Sequence, residues 1–87
     1  MLRIHRIQHN GSLVLKLEGK VVEPWTSELL AQLPSDPLSL HSVRLNLAAV
    51  SFIDATATAV LRQLVERGVV IEASSSFVAE LLHTREA

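Results

Sequence analysis

Eighty-seven residues, 48% of them apolar but only three aromatic (Trp25, Phe52 and Phe77), describe one small globular domain over 1–87 with a core of Leu, Val, Ile and Ala. Eight Lys and Arg against nine Asp and Glu, dispersed for a formal charge of −1, give no electrostatic reason to expect nucleic acid or an anionic membrane as the main partner. The absence of Cys excludes a disulfide framework, a thiol nucleophile and a thiolate zinc site. No apolar run approaches the roughly 20 residues that span a bilayer, and charged residues interrupt the start where a signal peptide would be apolar. The expected location is therefore cytoplasmic, without membrane insertion.

Leu2, Arg3, Ile4 and His5 alternate up to Asn10-Gly11, a dipeptide suited to the positive φ angles of a tight hairpin turn. Leu13, Leu15 and Leu17 then alternate with Val14, Lys16 and Glu18, so the opening is a β-hairpin with one buried face. Two-residue closure sets Ile4 opposite Leu17 but also Ile7 opposite Val14 on the other face, which predicts a bulge or register slip near Arg6.

Pro24 suits the first turn of a helix whose apolar stripe is Trp25, Leu29, Leu30 and Leu33, with Pro34 as its stop. The polar, Pro-rich stretch from Pro34 through Ser42 is predicted as a surface connection. A third strand follows, with Val43, Leu45 and Leu47 alternating against Arg44 and Asn46, and then a short loop holding Phe52 and Ile53. Asp54 is a natural N-cap for a helix running through Arg67, and Gly68 a natural terminator. The buried stripe of that helix is Ala57, Val60, Leu61, Leu64 and Val65. A strand over Val69 to Ala73 leads through Ser74-Ser75-Ser76 to a last helix with the stripe Phe77, Val78, Leu81 and Leu82.

The fold class predicted is α/β, a four-stranded mixed sheet in which an N-terminal β-hairpin is followed by βαβαβα, with right-handed crossovers. Because the strands alternate instead of being apolar throughout, the helices should cover mainly one face. The other face would carry Arg3, His5, Val14, Lys16, Glu18, Arg44, Asn46, Val70 and Glu72, a mixed surface suited at most to weak self-association.

Little here points to catalysis. His5, His9, His41 and His83 lie in different elements with no carboxylate or second histidine at ligand spacing, so no metal site is expected. Gly11, Gly19 and Gly68 stand alone in turn-like positions, so there is no phosphate loop, and no paired acid and base or nucleophile elbow is present. No cofactor is implied. What remains is Asp54-Ala55-Thr56-Ala57-Thr58, where a strand and loop deliver the chain to a helix start. Asp54 there serves as a cap; small residues around it also offer a flat surface to a protein partner, and its hydroxyls could accept phosphate.

The run Leu45-Asn46-Leu47-Ala48-Ala49-Val50-Ser51-Phe52-Ile53-Asp54 resembles the signature of STAS domains, the family of bacterial anti-sigma-factor antagonists and of the cytoplasmic domains of sulfate transporters. Leu15-Lys16-Leu17-Glu18-Gly19 resembles the second strand and turn of that family. Glu66-Arg67-Gly68 resembles the end of its second helix, and Ser76-Phe77-Val78-Ala79-Glu80-Leu81-Leu82 its last. The resemblance implies a non-enzymatic switch that docks on a kinase-type anti-sigma factor. Its partner-binding residues would be Val22, Glu23, Asp54, Ala55, Thr56, Ala57, Thr58 and Arg62. A second implied partner, from another branch, is the ATPase of a phospholipid-transport ABC complex.

The chain departs from the family where phosphate is received. The acceptor position directly after the Asp is Ala55, the family's Gly is Ala57, and Thr56 matches the second hydroxyl position. Two readings follow. Either the domain binds constitutively, having lost its switch, or Thr56 or Thr58 is a displaced acceptor; the first is preferred, because Thr56 at the second helical position points differently.

Overall fold

The computed structural model describes residues 2–83. The hairpin consists of β1 (Leu2–His9) and β2 (Ser12–Val21), antiparallel and joined by Asn10 and Gly11 with φ of 50° and 80°. Positive φ at both positions is what a turn matching the strands' own twist requires. Pairing runs unbroken from Leu2 opposite Gly19 to His9 opposite Ser12, so the bulge expected near Arg6 is not there. The conflict is resolved on the surface: Ile7 stays 50% exposed beside Val14 on the outer face.

The irregularities lie instead where parallel strands meet. Strand β3 (Val43–Ile53) pairs with β2 with shifts between Lys16 and Glu18 and between Gly19 and Lys20. These shifts carry β3 on as strand through the Phe52–Ile53 stretch expected to be a loop. Ala48 and Ala49 are both exposed, so strict alternation fails there, and the bulged ladder absorbs the extra residue. Strand β4 (Val70–Ser74) pairs parallel to β3 at residues 44–47 alone.

The sheet order is β1-β2-β3-β4, the order of the chain. Two right-handed crossovers stepping the same way put their helices on the same face. These helices are α1 (Trp25–Ala31) and α2 (Ala55–Glu66), and α3 (Ser76–His83) packs beside α2 and over β3. Leu13, Leu15, Leu17, Val43, Leu45 and Leu47 from the sheet meet Leu29, Ala57, Leu61, Leu64 and Val78 from the helices in one buried layer. Arg3, His5, Lys16, Arg44, Val70 and Glu72 on the opposite face are exposed, and His5 Nε2 lies 3.5 Å from Glu18 Oε2. The side chains of His9 and His83 lie outside the described residues.

Three stripes differ from expectation. Pro24 caps α1 instead of opening it, and the helix buries Thr26 and Leu29 while Trp25 and Leu30 face water. In α2, Val65 is exposed; in α3, Phe77 is exposed and Leu81 and Leu82 are half-buried. The connection after Pro34 holds a 3-10 turn (Pro37–Ser42) capped by Asp36, whose Oδ1 accepts from the Leu38 N–H at 3.1 Å. It inserts Leu40 into the core. Gly68, at φ 111°, closes α2 against this segment; a Cβ there would stand 2.5 Å from the His41 imidazole.

Thr26 is 2% exposed and its hydroxyl has no hydrogen-bond partner among the described residues. A buried hydroxyl that has given up water without a replacement is a net cost. Thr26→Val, nearly the same shape, is expected to stabilise the fold by about 1 kcal/mol and raise Tm by roughly 4–8 °C in thermal denaturation. An unchanged or lower Tm would show that the hydroxyl is satisfied.

Candidate functional site

The parallel strands β2, β3 and β4 all end at one edge of the sheet, and each hands the chain to a helix there. Ligands and partners of open α/β sheets gather at that edge, because helix starts and short loops converge on it. Asp54 organises it. Its own N–H donates to the Val21 carbonyl at 3.3 Å, its Oδ1 accepts from Ala57 N–H at 2.8 Å, and its Oδ2 accepts from Glu23 N–H at 3.0 Å. One carboxylate therefore caps α2 and fastens the β2–α1 loop to it.

The amides of Ala57 and Glu23, in that order, hold the Asp54 carboxyl below its ordinary value. Desolvation acts the other way and is outweighed, since both bonds are made to the ionised form. The Thr58 hydroxyl donates to the Asp54 carbonyl at 2.9 Å, alongside the Thr58 N–H at 2.9 Å.

The expected site residues divide into three groups. Glu23, Ala55 and Thr56 are exposed, and half-buried Val22, Asp54 and Thr58 sit beside them, so these six form one patch at the start of α2. Ala57 is fully buried and presents no surface. Arg62 is half-buried two turns further on, where its Nη2 donates to the Leu81 carbonyl at 2.7 Å and ties α2 to α3. Of the two hydroxyls considered as acceptors, that of Thr56 stands in the open, whereas that of Thr58 is engaged with the backbone.

The same edge holds something the sequence reading placed elsewhere. Phe52, near the end of β3, and Phe77, in the first turn of α3, stack with ring centroids 5.9 Å apart and planes 22° from parallel. Ser75 sets this junction: its N–H reaches the Leu47 carbonyl at 3.3 Å and its hydroxyl the Val50 carbonyl at 3.0 Å. Trp25 is the first residue of α1. A signal was present, for Trp25 and Phe77 are the first and second residues of short helices and Phe52 lies three residues before the start of α2.

Among the described residues, no group of three or more His, Asp or Glu is placed to hold a metal ion. No helix among the described residues is long and apolar enough to cross a membrane.

No family model matches the chain, and no curated protein matches it. A solved structure does. It is described as "Crystal Structure Analysis of Mglu" and superposes with a TM-score of 0.54 at 22% identity over 79% of this chain. The matched region is 18% of that longer chain, so the present domain corresponds to less than a fifth of it. At this identity the likeness is one of fold: the four-stranded mixed sheet with its helices is an arrangement also found in an experimental structure.

Proposed function

We propose that this protein is a non-enzymatic, STAS-type binding module of the cytoplasm that docks on a kinase-type anti-sigma factor through the start of α2 and the β2–α1 loop. The observation that supports it is the patch itself. Asp54 fixes the loop to the helix start through both carboxylate oxygens, and the residues left outward on the helix, Ala55 and Thr56, are small, with Glu23 exposed beside them. A small-residue surface that is rigid before binding loses little conformational freedom on contact, which is how modest areas yield useful affinity. With alanine at the position after the Asp, no phosphate enters there, and the contact is constitutive.

Thr56→Arg tests the surface by placing a long cation on the flat patch. The side chain is exposed, so Tm should move by no more than about 2 °C. Affinity for the captured partner should fall by about 100-fold, because a long side chain then stands where the two surfaces must close on one another. Retained affinity would remove this surface from contention. Co-purification of an ATP-binding cassette subunit in place of a kinase would assign the module to the transport complex.

A further inference from the structure

The core of this protein contains no aromatic residue. Trp25, Phe52 and Phe77 are 37%, 41% and 46% exposed, and all three stand at the edge where the parallel strands end. Aromatic side chains bring the largest apolar area per residue to a core, so leaving each of the three more than a third exposed forgoes stability. Aromatics so placed are what interface centres are built from. Phe52 and Phe77 in particular lie together, ring against ring, so two partly exposed aromatic groups meet at one place.

The charges around this edge narrow what can sit on it. Lys20 is the cross-strand neighbour of Phe52. Glu23 lies in the loop that Asp54 holds, Glu28 is in the first turn of α1, and the Asp54 carboxylate is kept ionised by its two amides. Three carboxylates against one ammonium repel an anion, which disfavours a nucleotide even though aromatic faces would stack on its base. A guanidinium is favoured on both counts. It stacks flat on an aromatic face, and it carries the charge the carboxylates complement.

We propose that the Phe52–Phe77 pair anchors an arginine side chain of the protein partner, with the carboxylates of the edge, Glu23 foremost, as its counter-charge. The assignment rests on the docking reading above and extends that surface from the start of α2 to the start of α3.

The test needs no partner, so its outcome is separate from that of Thr56→Arg. The full chain is titrated with Nα-acetyl-arginine amide to ~50 mM at constant ionic strength while amide and ring chemical shifts are followed, with the lysine, leucine and uridine monophosphate analogues in parallel. The arginine probe should shift the Phe52 and Phe77 rings and the amides around Glu23. It should bind about threefold or more tightly than the lysine probe. Glu23→Gln should weaken it, Lys20→Ala should strengthen it, and Phe52→Leu should abolish it with shifts elsewhere unchanged. No shift at those residues, equal binding of the lysine or leucine probe, or preference for the nucleotide would overturn the proposal.

Discussion

An Asp54→Ala protein is expected to melt about 5–10 °C below the parent, a large effect for one half-buried side chain. Two bonds go at once: the cap on the Ala57 amide and the tether on the Glu23 amide. Asn separates them, since its carbonyl can still accept from Ala57 while its amide opposes the Glu23 N–H with another donor. Asp54→Asn should therefore recover part of the lost Tm and still loosen the β2–α1 loop, visible as faster amide exchange at Glu23. Acid gives an independent check. The folded state holds the Asp54 carboxyl below its ordinary value, so a proton binds the unfolded chain more readily. The stability Asp54 confers is complete above about pH 4 and drains away as pH falls through the lowered value. The Tm gap between parent and Asp54→Ala should narrow over that window. A gap that stays constant would mean the carboxylate charge contributes nothing.

Leu45→Ala is expected to destabilise the fold by about 3 kcal/mol, roughly 15 °C in Tm. Leu45 is fully buried in β3, paired with Leu15 on one side and Ile71 on the other, so the sheet cannot collapse into the space left. For a domain whose total stability is on the order of 5–15 kcal/mol, that is a substantial share. The comparison is Val65→Ala, from a residue that the helical stripe of α2 marks as inward but that is exposed, which should cost no more than about 0.5 kcal/mol. Equal losses would contradict the assignment of inner and outer positions. Chemical denaturation with a constant slope would report both.

That contrast also shows where the sequence could be read and where it could not. Asn10-Gly11, Gly68 and Asp54 announce themselves because their roles are local: positive φ in a turn or helix end, and a carboxylate within reach of the next amides. Strand alternation likewise gave the covered and open faces of the sheet. Val65, Trp25 and Phe77 could not be placed this way, because a helical stripe says which residues share a side but not how far the neighbouring sheet extends beneath it. The end of β3 was hidden for a similar reason. Two exposed alanines break its alternation, and only the bulged pairing with β2 keeps that segment in the sheet. Leu40 plugs the core from a segment whose composition is that of a loop. In the candidate site, the Asp54 cap was legible, whereas the reach of its second oxygen to Glu23 depends on how β2 and β3 end side by side.

The strand order β1-β2-β3-β4 has a bearing on how the chain is made. Each strand pairs with the one synthesised just before it, and none has to wait for a later segment to slot between two others. A nascent chain can add strands in the order they leave the ribosome, each closing a loop no longer than one crossover. At every stage the growing edge belongs to the newest strand and is the place where the next will arrive, so that edge stands open only briefly, while the opposite edge, on β1, is the one left unpaired throughout.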